Sequence, residues 1–202
     1  MRNAGLVLAG GASRRFGREK ALAVFAGRPM IAAVCDVLRR GCEPVGVNAP
    51  SASAAATWAR EAGLAVVPDE AAAAGGPLVG VLSGLRWALG QGLDGLVTAP
   101  CDLPRLPRDL VARLTAATSR SRGSVAVHGE DVVEPLCALW PAAVLAMLED
   151  ALRGERHSAA RAIVDALQFK RVGFESSDAF LNVNAVADVA RADAKQERAD
   201  SG

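Results

Sequence analysis

The segment from Leu8 to Lys20, Leu-Ala-Gly-Gly-Ala-Ser-Arg-Arg-Phe-Gly-Arg-Glu-Lys, holds the residue types that a polyphosphate requires. Glycines let the backbone approach phosphate oxygens closely and turn N–H groups toward them. The Ser13 hydroxyl is a further donor, and Arg14, Arg15, Arg18 and Lys20 bring positive charge beside the cradle. The spacing departs from two common phosphate-binding patterns. A P-loop has four residues between its glycines and Lys directly after the second. Here five residues separate Gly11 from Gly17, and Lys20 comes three later. The segment contains no G-x-G-x-x-G and is therefore not a dinucleotide fingerprint. The alternative to phosphate binding is a strand-to-loop turn whose glycines serve geometry and whose basic side chains are solvated.

A second group with chemical potential is Ala99-Pro-Cys-Asp-Leu-Pro104, just past an apolar run ending at Thr98-Ala99. Ligands of open α/β sheets collect outside the carboxyl ends of strands. An Asp at such an end suits Mg²⁺, which takes one or two carboxylates and completes its shell with water and substrate phosphate. Alone, Asp102 reads better as a capping or turn residue, with Pro104 and Pro107 close by; beside the glycine-rich segment, the metal reading is the stronger. The four cysteines, Cys35, Cys42, Cys101 and Cys137, form no C-x-x-C pair, and only His128 and His157 could join them, so buried reduced thiols are expected rather than zinc.

These residues need a scaffold. Leu6–Ala9, Val45–Asn48, Leu64–Val67 and Gly95–Ala99 are short, Val- and Leu-rich and bounded by Gly, Pro or Asp, which predicts buried strands. Between them, Pro29–Arg40, Ser53–Ala62, Leu78–Leu89 and Pro107–Ala117 predict helices, two of them opened by Pro. Strands alternating with helices imply an α/β fold with a mostly parallel sheet covered on both faces. Beyond about residue 120, strands are expected at Ser124–His128 and Val132–Leu139. Helices follow at Ala142–Leu152 and Ser158–Leu167, then a run at Phe169–Phe174, a closing helix at Ala185–Ala192, and a polar tail, 193–202, that frays. One domain, 1–192, is expected, with a nucleotide half of about 1–120 and a second half of about 121–192.

Composition narrows the class. A chain of 202 residues, 51% hydrophobic and 22% charged, folds without disulfide staples and is not disordered. A net charge of +1 with no basic stripe gives no footprint for nucleic acid. No apolar stretch reaches the ~18 residues of a membrane span. The run from Ala4 to Ala9 is too brief for a signal peptide, so a cytoplasmic protein is expected.

The pattern L-A-G-G-x-S-x-R-x-G-x-x-K, matched at Leu8, Ala9, Gly10, Gly11, Ser13, Arg15, Gly17 and Lys20, resembles the signature of nucleotidyltransferases with a Rossmann-like three-layer α/β/α fold. Phe16 and Glu19 stand where that group often has Met and Asp. Ala99–Pro104 resembles the family's metal-binding strand end. Val45–Ala49 and Val67-Pro-Asp69 are similar to strand ends that touch the nucleotide, and Gly76–Val81 resembles a G-P-L-A-G-[IL] segment. Leu181-Asn-Val-Asn184 resembles an F-x-N-[IV]-N segment and points to the molybdenum cofactor guanylyltransferases. Two departures lie in the second half. Ala185-Val-Ala187 replaces Thr-Pro-Glu, and Glu134 stands before Pro135 where the family commonly has His, an acid in place of a potential donor.

The resemblance implies transfer of GMP from GTP to the molybdopterin cofactor, with Mg²⁺ as metal. It implies that Leu8, Ala9, Gly10, Gly11, Ser13, Lys20, Asn48, Asp69 and Asp102 bind the nucleotide. Lys20, Arg15 and Asp102 would act in catalysis, Asp102 as the metal ligand, and Asn182 and Asn184 would face the cofactor. Molybdenum cofactor insertion proteins are possible partners, and neither nucleic acid nor membrane is expected. Gly10 at the third motif position favours guanine, since cytidylyl relatives more often show Ala-Ala-Gly. A cytidylyl- or sugar-phosphate-specific relative is the enzymatic alternative. A nucleotide-binding module without turnover is the other, disfavoured by the presence of both Lys20 and Asp102.

Overall fold

The computed structural model describes residues 1–10, 20–70, 76–153 and 159–183. Runs of Val, Leu and Ala that can be buried on both faces form the strands that organise it. These are β1 (Asn3–Leu8), β4 (Val45–Asn48), β5 (Ala65–Val67) and β6 (Gly95–Pro100), and every residue of β1 and β4 is buried. The short β2 (Val24–Phe25) and β3 (Arg28–Pro29) make a separate hairpin absent from the sequence expectation. Its turn, Ala26-Gly27, has positive φ at both residues, the geometry of a tight hairpin reached with only one glycine.

The second half adds β7 (Ser124–His128), β8 (Val132–Pro141) and β9 (Lys170–Phe174). The seven-stranded sheet runs β5-β4-β1-β6-β8-β7-β9. β5, β4, β1 and β6 are parallel neighbours, β8 is antiparallel to both β6 and β7, and β9 is parallel to β7. The mostly parallel sheet expected from the strand–helix alternation is therefore present, with one reversed strand.

Alternation along each strand sends side chains to two cores. Val7 and Val97 join one with α1 (Met30–Leu38), α2 (Ala54–Glu61) and α4 (Leu110–Ala117). Leu6, Leu8 and Leu96 join the other with α3 (Pro77–Gly90), α5 (Leu145–Arg153) and α6 (Ala160–Ala166). Three layers result. Ser53 caps α2 by accepting from the Ala56 N–H at 3.1 Å, and Pro77 opens α3 at the first helical position.

Several boundaries move. Pro107 lies in the turn before α4, where its carbonyl accepts from the Leu110 N–H, so the helix starts three residues later than expected. Residues Ala142–Val144 form a 3₁₀ turn ahead of α5. Gly90-Gln-Gly-Leu-Asp-Gly95 does spell G-x-G-x-x-G, but it ends a helix and leads into a strand, the reverse of a dinucleotide site. The expected closing helix and the tail lie outside the described residues. No helix among the described residues is long and apolar enough to cross a membrane.

Candidate active site

The carboxyl ends of β5, β4, β1 and β6 lie side by side at one edge of the sheet, and the singled-out residues collect there. Pairing sets Leu8 beside Asn48 on one flank and Pro100 on the other. Two backbone bonds extend this register past the strands. The Ala9 N–H donates to the Asn48 carbonyl at 2.9 Å, and the Cys101 N–H donates to the Leu8 carbonyl at 3.1 Å. Leu8 and Ala9 are buried, while Gly10 emerges at the surface.

Asn48 anchors the outer part of this edge. Its buried amide donates to the Val67 carbonyl at 3.0 Å and to Asp69 Oδ1 at 2.7 Å. That leaves Asp69 Oδ2 on the side of Gly10, 3.8 Å from where a Cβ on Gly10 would stand. The glycine at position 80 is required by the same cluster, because a Cβ there would come within 2.4 Å of Asn48 Oδ1. A second layer steadies the Asp69 loop. The Glu70 N–H donates to the buried Ser83 hydroxyl at 3.2 Å, and Arg86, one helical turn on, pairs with Glu70 and with Glu149 of α5. Sequence reading missed Ser83 and Arg86. Their signal was the i, i+3 spacing Gly80-Ser83-Arg86 on one face of α3.

The inner part of the edge is ionic. Lys20 opens a 3₁₀ turn, Lys20–Leu22, and its ammonium donates to Asp102 Oδ2 at 2.5 Å. Both side chains are largely buried, 15% and 17% exposed, so the pair is less screened than a surface bridge. Lys20 also reaches Asn182 Oδ1 at 3.2 Å, and the Val183 N–H donates to the Asp102 carbonyl at 3.0 Å. The segment Ser177–Val183 thus straps the end of β6. Asn182, expected on the cofactor side, touches the lysine directly. Gly11, Ser13, Arg15 and Asn184 lie outside the described residues.

Divalent metal chemistry fits the donor set. Asp102 Oδ1 accepts no hydrogen bond among the described residues, and a single carboxylate matches a cation that takes its remaining ligands from phosphate and water. No cluster of three or more metal-ligating side chains occurs among the described residues, so an all-protein cage is absent there.

The cysteines form no disulfide. Burial pushes the Cys35 and Cys42 thiols up to about 12. Burial also raises the Cys137 thiol well above its ordinary value, with the charges of Glu134 and Asp102 adding to it. Buried, protonated thiols are poor nucleophiles, as expected from the lack of partners.

The carboxyl edge thus carries an Asn48–Asp69 pair at the ends of β4 and β5 and a Lys20–Asp102 pair past β6, and the class of protein is a nucleotidyltransferase. Residues 5–172 match the MobA-like NTP transferase domain, and the chain belongs to that family. It is 41% identical, over 96% of both chains, to a molybdenum cofactor guanylyltransferase from Cereibacter sphaeroides. Among solved structures, it resembles molybdopterin-guanine dinucleotide biosynthesis protein A from Archaeoglobus fulgidus, with TM-score 0.72, 19% identity and coverage of 96% and 99% of the two chains. It also shares its fold with a Mycobacterium tuberculosis protein solved in complex with manganese, with TM-score 0.62, 20% identity and coverage of 95% and 98%.

Proposed function

We propose that this enzyme transfers GMP from GTP to the molybdenum–molybdopterin cofactor and releases pyrophosphate. The observation that carries the reading is the Lys20–Asp102 pair, set past the end of β6 and strapped by Asn182 and Val183. A phosphate oxygen of the pterin cofactor attacks the α-phosphorus of GTP in line. The bond to the bridging oxygen breaks, and its electron pair leaves with pyrophosphate. The nucleophile is already ionised, so no general base is needed, and catalysis is positioning plus charge neutralisation.

Gly10, Gly11 and Ser13 would serve the phosphates as backbone N–H and hydroxyl donors. Lys20 and Arg15 would offset charge on the triphosphate. Asp102 would hold Mg²⁺, which when bound would supply Lewis-acid neutralisation of phosphate charge. Leu8, Ala9, Asn48 and Asp69 surround the base and ribose, and Asp69 Oδ2 is the acceptor for the N1–H and N2 amino edge of guanine. Asn182 and Asn184 meet the acceptor. The enzyme works in the cytoplasm and passes its product to molybdenum cofactor insertion proteins.

The test is competition between GTP and CTP at equal concentration with Mg²⁺ and molybdenum cofactor, with the dinucleotide product identified by mass. The guanine product is expected in large excess, since a site that hydrogen-bonds one edge can reject an analogue lacking it by about 10⁴–10⁵. A mainly cytosine product overturns the base assignment.

A further inference from the structure

The carboxyl edge does not stop at β6. β7 ends at His128 on that same edge and β8 begins there, and the two strands hold a polar pair that the nucleotide chemistry leaves unused. Glu134 Oε1 accepts from His128 Nε2 at 3.0 Å. The register of β7 against β8 shifts between Val125 and Ala126, skipping Pro135, Leu136 and Cys137. Bulges of this kind re-aim side chains and are common beside active sites.

The pair is held rigidly but incompletely satisfied. The His128 ring lies flat against Phe180, with centroids 4.9 Å apart and planes 4° apart, and Phe180 packs on Phe174. His128 Nδ1 is buried and without a hydrogen-bond partner, and Glu134 Oε2 accepts no hydrogen bond among the described residues. The Glu134 side chain is 26% exposed, so a ligand can reach it. Unsatisfied polar groups of this kind call for an explanation, and a ligand is one.

Position identifies the ligand. Phe180, stacked on His128, is two residues from Asn182, which touches Lys20, and three from Val183, which is bonded to Asp102. The strap therefore runs from the Glu134 pair to the Lys20–Asp102 pair, with the exposed Leu181 between. Glu134 and Asp102 both add to the upward shift of the buried Cys137 thiol, so both carboxylates are within electrostatic reach of that residue. A carboxylate with no cation beside it offers no donor to a phosphate. It takes N–H donors, and its lone pairs can accept two adjacent ones.

We propose that Glu134, positioned by His128, binds the amino-lactam edge of the acceptor's pterin, with the adjacent amino and ring N–H groups donating to the carboxylate while the acceptor's phosphate reaches Lys20 and Asp102. The assignment rests on the proposed transfer to molybdopterin and adds the residue that recognises its heterocycle. His128 acts through Glu134 and is a positioning residue.

The experiment measures fluorescence binding of 6-hydroxymethylpterin and of 6-hydroxymethyl-lumazine, which carries oxygen in place of the amino group. Wild-type, Glu134→Gln, Glu134→Asp and His128→Gln proteins are compared, alongside GTP affinity and melting temperature. The wild type is expected to prefer the pterin, and Glu134→Gln to weaken it about 10- to 100-fold and erase the preference, with GTP affinity within twofold. His128→Gln retains a donor to the carboxylate and should keep most of the preference. Equal binding of the two probes by the wild type, or an unchanged preference in both Glu134 variants, overturns the proposal. Because binding needs no turnover, a failure of guanylyl transfer is read separately, from the absence of dinucleotide product.

Discussion

The two sides of the sheet solve different problems. The β5-β4-β1-β6 side is wholly parallel, and each strand ends in a loop that delivers a polar group to one edge: Asp69, Asn48, Gly10 and Asp102. The β8-β7-β9 side contains the reversed strand and a bulge. There the edge is reached by the end of one strand, the start of another and a strap that crosses back to β6. Parallel order distributes one contact per strand, as a nucleotide with separate base, ribose and phosphates requires. Antiparallel order concentrates its polar residues in a single pair against an aromatic wall, which suits one flat ring.

The comparison predicts that stability can be removed from the second side without removing nucleotide chemistry. Trp140 on β8 is fully buried, packs edge-on against Phe169 at 4.9 Å and donates to Thr98 Oγ1 at 2.9 Å. Trp140→Ala should cost about 3–5 kcal/mol, read as a lower urea midpoint. GTP affinity of the folded fraction should stay near wild type. Loss of GTP binding without loss of stability would make the two sides one functional unit.

The other side is tested at Asp102. Asp102→Asn keeps shape and the strap bond, which uses the backbone carbonyl, but removes the charge. Turnover should fall about 10²–10³-fold, with a lower melting temperature as well because the largely buried Lys20 loses its counter-charge. Turnover against Mg²⁺ concentration checks this, and near-normal activity at ordinary Mg²⁺ would remove Asp102 from metal binding.

The parallel side was largely legible in the sequence because its signals are local. A buried strand is a short apolar run, its loop follows at once, and Val45–Asn48 was read to the residue. Asn48 and Asp69, which touch each other, are singled out separately, each by the resemblance of its strand end to one that touches a nucleotide. The other side depends on pairing that sequence does not print. Glu134 was noticed only as a departure, and His128 only as an unlikely zinc ligand. Their contact arises from a bulge and a stack with a residue 52 positions from His128. The β2–β3 hairpin escaped because two-residue strands leave no periodicity to read. For Gly11, Ser13, Arg15 and Asn184 the structure adds nothing to the motif.

The thiols sharpen the comparison through pH. Cys35 and Cys42 lie in the core of the parallel side, and burial raises both to about 12. An ordinary thiol ionises near 9, so above that pH the unfolded chain binds fewer protons than the native one. The stabilising contribution is complete below about pH 9 and is lost as pH rises through 12. At pH 10 each thiol should account for about 1 kcal/mol of lost stability, with no effect at neutral pH. A Cys35→Ala, Cys42→Ala protein should show a flatter decline of melting temperature between pH 8 and 10. An unchanged slope would mean that other groups control the alkaline limb.

The smallest effect belongs to the residue that joins the two sides. Arg86 on α3 pairs with Glu70, next to Asp69 on the nucleotide edge, and with Glu149 on α5 beneath the second half. The three side chains are 38%, 49% and 23% exposed, so screening keeps the network's contribution to stability at about 1 kcal/mol or less. Its consequence for binding is geometric. Glu70 is held by Ser83 through its backbone and by Arg86 through its side chain, which leaves Asp69 one residue from a fixed point. Releasing Arg86 frees Asp69 to lose alignment with the base while the phosphate residues keep theirs. Arg86→Ala should therefore raise KM for GTP about three- to tenfold and leave kcat and pyrophosphate affinity unchanged, since base contacts are made equally in ground and transition states. Arg86→Lys restores charge but not the fork that reaches both glutamates, and should recover only part of the loss. A fall in kcat with KM unaltered would place Arg86 in the coupling between the two substrates rather than in the alignment of the first.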